Sequence, residues 1–181
     1  RFHFGRPAAA AQIRSPGGPC GVVSFYPYGP DTLVVADICR LPCRTGPCAS
    51  GIFALHIHEG NSCGGDNFAD AKGHYNPGGC PHPFHAGDLP PLFSCRGHAF
   101  MAVLTNRFRA AEVIGRTVVI HSRRDDFTSQ PAGDSGTKIA CGVIRPDDKS
   151  RPWGGFFCAI AQAAFSCEKV LGMPASEVRE A

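Results

Sequence analysis

Seven side chains able to ligate a metal run along the chain from His56 to His121: His56, His58, His74, His82, His85, Asp88 and His121. The chain has eight histidines, and six of them belong to this set. Imidazole is a favoured ligand for copper and zinc. Seven donors exceed what one ion takes, so the set points to two adjacent ions.

The spacing divides the set. His56 and His58 lie in Ala-Leu-His-Ile-His-Glu, and residues two apart in a strand share a face. Both rings can therefore reach one ion while Ile57 turns to the core; the competing reading is two histidines on a sheet surface. His121 ends the β-forming run Arg-Thr-Val-Val-Ile-His-Ser, and a strand end is a rigid mount for a ligand. His82, His85 and Asp88 repeat every three residues, among Pro81, Pro83 and Gly87, which prevent an ordinary helix. With His74 they make a four-coordinate closed set of the kind structural zinc prefers. A polar surface loop is the alternative.

These residues need mounts, and the chain offers short β-rich runs at 21–26, 32–38, 52–57, 99–104, 113–120 and 138–144. Each is bounded by Gly, Pro, Asn or Asp. No amphipathic helix is expected between Cys20 and Ile144, so the predicted fold class is all-β, an antiparallel sandwich or barrel. The interval 59–97 lacks strand character and holds four of the seven candidates; a loop this long is usually functional or disordered. A second, charged loop spans 122–136. Residues 1–18 read as an N-terminal arm joining a sheet edge, 19–145 as the main domain, and 146–181 as a C-terminal extension of unknown role. Within that extension, 156–170 is patterned as a short apolar helix.

A chain of 181 residues with 43% hydrophobic content is one globular domain with a sizeable core. A net charge of +3 is too mild to argue for nucleic acid, and no apolar run approaches the roughly 18 residues that span a bilayer. Gly (22) and Pro (16) predict many turns. Ten cysteines are many for a cytosolic protein of this size and make disulfides and an oxidising compartment an open reading. The cluster Cys39, Cys43 and Cys48 reads as free thiols or an extra disulfide ahead of a metal cluster.

Several phrases taken together resemble the copper/zinc superoxide dismutase family: Leu55-His-Ile-His-Glu59, Gly73-His-Tyr-Asn-Pro77, His85-Ala-Gly-Asp-Leu89, Gly115-Arg-Thr-Val-Val-Ile-His-Ser122, Gly133-Asp-Ser-Gly-Thr137 and Ile139-Ala-Cys-Gly-Val143. They occur in the family's order, from about Gly21 to Ile144. The resemblance implies a Greek-key β-sandwich with long metal-binding loops. It implies copper held by His56, His58, His74 and His121, and zinc held by His74, His82, His85 and Asp88, with His74 as the bridge. Asp125 matches an aspartate that hydrogen-bonds ligands of both metals. Cys63 and Cys141 match the family's intrasubunit disulfide.

The implied reaction is disproportionation of two superoxide anions to oxygen and hydrogen peroxide, with His74 carrying a proton. Two alternatives are a copper-handling domain with little turnover and a copper-only dismutase. The chain departs from the pattern twice. Lys138 stands where better-known members have arginine beside the copper, which predicts retained but lowered activity. His82 and His85 are closer together than in animal members, so the zinc loop is expected to fold differently. The expected partner is the superoxide anion, with neither nucleic acid nor membrane; a homodimer and the compartment stay open, extracellular or cell-envelope location being favoured over cytoplasm.

Overall fold

The structure, a computed structural model, describes residues 6–43 and 51–147. Nine strands follow in chain order: β1 (Ala9–Ile13), β2 (Cys20–Tyr28), β3 (Asp31–Cys39), β4 (Ile52–Phe53), β5 (Leu55–His58), β6 (Leu92–Phe93), β7 (Ala99–Thr105), β8 (Thr117–His121) and β9 (Lys138–Pro146). The only helix among the described residues is a 3-10 segment, Asp66–Ala71. Seven strands form one antiparallel sheet in the order β5-β8-β9-β1-β2-β3-β7, and β4 pairs with β6.

The order shows why the fold is a Greek key. β2 and β3 form a hairpin across a two-residue turn, which Gly29 opens at φ 58°. The chain then crosses to the far end of the sheet for β5, returns for β7 beside β3, and crosses again for β8 beside β5. The sheet curls around one core. Alternate residues fill it: Ala9, Ala11 and Ile13 from β1, Val23 and Phe25 from β2, Val34, Ala36 and Ile38 from β3, Val118 and Ile120 from β8.

β5 and β8 set the site. Leu55 and Ile57 point into the core. His56 and His58 therefore occupy the other face of β5, where register places them opposite Val119 and Thr117 of β8. Val119 belongs to a second apolar cluster with Ala71 and Cys141, against which Cys63 and Phe68 pack. That cluster fastens the loop after β5 onto the outside of the sheet.

Three expectations need correction. The arm expected at a sheet edge contributes β1, and β1 lies inside the sheet between β2 and β9. The Ala-rich run has no β-branched signature, but Ala9 and Ala11 are small enough to sit fully buried over the core. The run expected at 113–120 becomes strand only from Thr117, because Val113 to Arg116 close a turn through Arg116 N–H to Val113 O at 3.0 Å. The interval 59–97 does carry a little regular structure, the 3-10 segment and β6. The patterned run 156–170 and Cys48 lie outside the described residues.

Candidate metal centre

Two isolated bridges bring the loop onto β5: His58 pairs with His74, and His56 pairs with Asp88. A backbone knot fixes this contact. Ile57 N–H donates to Gly87 O at 2.9 Å, Tyr75 N–H to Ile57 O at 2.8 Å, and Gly87 N–H to Tyr75 O at 2.8 Å. A Cβ at position 87 would lie against Ile57 O, so only glycine permits this approach. His121 joins from the end of β8, where a register irregularity follows Ile120.

The seven residues come together as two donor groups. His56, His58, His74 and His121 each offer one ligand atom, all within 4.8 Å of one another, and so do His74, His82, His85 and Asp88. His74 belongs to both groups. In the first, His58 Nε2 and His121 Nε2 are 3.2 Å apart, and the His56 and His74 ring centroids are 4.1 Å apart. In the second, His74 Nδ1 is 2.7 Å from Asp88 Oδ1 and 3.3 Å from His85 Nδ1.

The other ring nitrogens show which atoms remain for a metal. His58 Nδ1 is held by Lys72 O at 2.8 Å, leaving Nε2. His121 Nδ1 lies 3.4 Å from Gly136 O, leaving Nε2. His56 Nε2 and His82 Nε2 face the two oxygens of Asp125 at 2.8 and 2.9 Å, leaving both Nδ1 atoms. His56 Nδ1, His74 Nε2 and His82 Nδ1 are buried without a hydrogen-bond partner. His82 Nδ1 is 3.0 Å from Asp88 Oδ2, but the contact lacks hydrogen-bond geometry. A buried polar atom left unpaired costs roughly 1–3 kcal/mol. Three of them converging on two donor groups fit metal binding: four imidazoles suit copper, and three imidazoles with a carboxylate suit zinc.

Protonation agrees with ligand duty. Burial pushes His58 down to about 2, with His74 next in effect, and pushes His121 down to about 3, with His56 next. His56 is lowered as well, chiefly by burial. Burial would raise the carboxyl of Asp88, but the surrounding histidines, led by the hydrogen bond to His74 and joined by His56 and His85, together hold it below the usual range. Imidazoles kept neutral and a carboxylate kept ionised are the states that bind metal.

The sequence comparisons agree with this geometry. The family described as copper/zinc superoxide dismutase (SODC) matches residues 21–144. Superoxide dismutase [Cu-Zn] 2 of Aquifex aeolicus (strain VF5) is 39% identical over 107 residues, covering 51% of this chain and 63% of that protein. Superoxide dismutase [Cu-Zn] of Deinococcus radiodurans is 32% identical over 164 residues, 78% of this chain and 86% of that protein. The copper chaperone for superoxide dismutase of Homo sapiens is 29% identical over 157 residues, 76% of this chain and 52% of that protein. The chain thus spans a little under two thirds of the length of the Aquifex protein. The chain belongs to the copper/zinc superoxide dismutase family.

Within that family frame, Asp125 is the strut between the two halves. Burial would raise its carboxyl, but hydrogen bonds from His56, Phe127 N–H and His82 bring it down to about 2. Gly133 lies against this strut at φ 65°. A Cβ there would be 2.7 Å from His82 Nε2 and closer still to Asp125 Oδ1. From the sequence Gly133 reads only as part of a family phrase, and nothing in its spacing announces the contact.

Lys138 starts β9 and reaches back to the metal loop. Its Nζ donates to Lys72 O at 2.8 Å and to Phe68 O at 3.2 Å. The carbonyl of Lys72 therefore receives both Lys138 and His58. Burial lowers the pKa of Lys138.

The cysteines resolve in part. Cys63 and Cys141 form a disulfide with a Cα–Cα distance of 5.7 Å. Cys39 and Cys43 are also disulfide-bonded, while Cys20, Cys80 and Cys95 are free thiols. Asp37, Cys39 and His98 cluster closely enough to suggest a further metal site. Cys39 is oxidised, and only a thiolate ligates; His98 Nε2 instead pairs with Asp37 Oδ1 at 2.7 Å. Among the described residues no helix is long and apolar enough to cross a membrane.

Proposed function

We propose that this protein is a superoxide dismutase, converting two superoxide anions and two protons to oxygen and hydrogen peroxide. Copper would be held by His56 Nδ1, His58 Nε2, His121 Nε2 and His74 Nε2. Zinc would be held by His74, His82 and His85 through their Nδ1 atoms, and by Asp88. The observation that carries this reading is His74, which belongs to both donor groups, its Nδ1 2.7 Å from Asp88 Oδ1 and its Nε2 buried without a partner.

Copper bound there would supply one-electron redox chemistry. The chain's own groups do the rest. His58 and His121 are fixed in orientation by Lys72 O and Gly136 O. His74 Nε2 would take up a proton in one half-cycle and deliver it to the second superoxide in the other, with water supplying the second proton of hydrogen peroxide. His74 Nδ1 stays on the zinc side, which keeps the ring from turning away. Lys138 adds positive charge near His58 and His121, drawing the anion in.

A second reading, a copper-handling domain with little turnover, is favoured by the similarity to the human copper chaperone. Metal analysis of the purified protein joined to a superoxide-consumption assay separates the readings. Two metals per chain with copper-dependent turnover supports the dismutase. Tight copper binding with negligible turnover supports copper handling. Copper-dependent turnover with no zinc supports a copper-only dismutase.

A further inference from the structure

The segment that carries His82, His85 and Asp88 has no strand or helix of its own, only turns such as Phe84 N–H to Pro81 O at 2.8 Å. Two side chains from elsewhere hold its backbone. Arg107 Nη1 donates to Pro83 O at 3.1 Å, His85 O at 3.2 Å and Asp88 O at 3.0 Å. Gln130 uses both ends of its amide on one residue: its Oε1 accepts His82 N–H at 3.0 Å and its Nε2 donates to His82 O at 2.7 Å. The two side chains thus reach the main chain of all three residues, and neither touches a ligand atom.

Both clamps stand on rigid supports. Arg107 precedes Phe108, which is buried, packs edge-on to Phe25 at 6.2 Å, and accepts Thr32 Oγ1 at its carbonyl at 2.9 Å. Gln130 follows a turn capped by Asp126, whose Oδ1 accepts Thr128 N–H and Ser129 N–H at 2.8 Å each. Gly133 N–H closes the next turn, around Gln130 itself, on Ser129 O at 2.7 Å. The loop is therefore tied to the core on one side and to the Asp125 segment on the other.

We propose that Arg107 and Gln130 are positioning residues that order the loop's backbone before zinc arrives, so that closely spaced His82 and His85 still converge on one ion. This rests on the zinc assignment made above. Hydrogen bonds from a guanidinium are among the stronger kind, and a loop already ordered loses less freedom when it binds. Groups outside the ligand set commonly change metal affinity by roughly 10–100-fold.

The test is zinc affinity by competition with a chromophoric chelator, on the full chain, with copper affinity measured in parallel. Arg107→Met and Gln130→Met should each weaken zinc by roughly 10–100-fold while copper affinity stays within about twofold. Arg107→Lys should fall between, because a lysine ammonium offers three protons to the three carbonyls. Cobalt(II) placed in the loop site should show altered visible absorption in both Met variants. Zinc affinities within about twofold of the parent would overturn the inference, as would equal loss of zinc and copper, which reports general unfolding. A parent protein that binds no zinc removes the zinc assignment itself, a result distinct from either.

Discussion

His56 Nε2 lies 2.8 Å from Asp125 Oδ2, and that carboxylate's other oxygen lies 2.9 Å from His82 Nε2. One side chain therefore sets the usable nitrogen on a strand histidine and on a loop histidine together. Asp125→Asn keeps one acceptor but turns an amide N–H toward the second ring N–H. The expected outcome is a drop in affinity for both metals of roughly 10–100-fold, read by chelator competition. A variant that loses only one metal would mean the carboxylate is not a shared strut.

Lys138 spends two of its three protons on Phe68 O and Lys72 O. Arginine has five donors in a planar fork, enough to keep both carbonyls and still face an anion. Lys138→Arg should raise kcat/KM for superoxide consumption in stopped-flow assays. Lys138→Met should lower it by up to roughly tenfold at low ionic strength, with the gap narrowing as salt is added. If the arginine variant shows no rise, the orientation argument fails.

The metal-free protein should weaken in mild acid. His58 and His121 titrate near 6.5 when unfolded but are held at about 2 and about 3 when folded, chiefly by burial. Between those limits the unfolded chain binds more protons, so stability falls as pH falls. Asp125, lowered from 3.8 to about 2, contributes stability above its unfolded value that is lost only as pH drops towards 2. Urea midpoints of the metal-free protein at about pH 7.5 and about pH 5 check this: equal midpoints would contradict it.

The Cys63–Cys141 disulfide closes a loop of sequence separation 78. In the chain-entropy account, losing it costs about 4–5 kcal/mol. The double change Cys63→Ala with Cys141→Ala should lower the unfolding free energy by that order. It should also loosen Phe68 and Lys72, whose carbonyls hold Lys138, and so reduce the rate at unchanged copper content. Retained rate would show that the loop's backbone bonds and its packing on Val119 hold it without the disulfide.

What the sequence made legible is the chemistry-bearing set. Histidine is rare enough that seven between positions 56 and 121, six of them in the candidate set, stand out, and strand alternation alone puts His56 and His58 on one side. β1 was not legible as an interior strand because alanine carries no strand signature; its position is decided by fit against the core. Arg107 and Gln130 escaped notice because they act on main-chain atoms of residues 82, 83, 85 and 88, and common polar side chains have no spacing that marks this. Gly133 and Gly87 are silent for a related reason: their value lies in a missing Cβ beside a distant partner.

The placement of β1 between β2 and β9 has a consequence for how the protein comes into being. Ala9 pairs with Pro146, so among the described residues the first strand meets the last. Until β9 has left the ribosome, β1 has an open edge and β8 lacks its neighbour on the side away from β5. Contacts of such long sequence separation form slowly. His121 on β8 pairs with Lys138 on β9, so the four-histidine pocket gains its full support only once β9 has joined β8. On the proposed reading, copper would therefore enter that pocket after β9 has joined the sheet rather than on a shorter, growing chain.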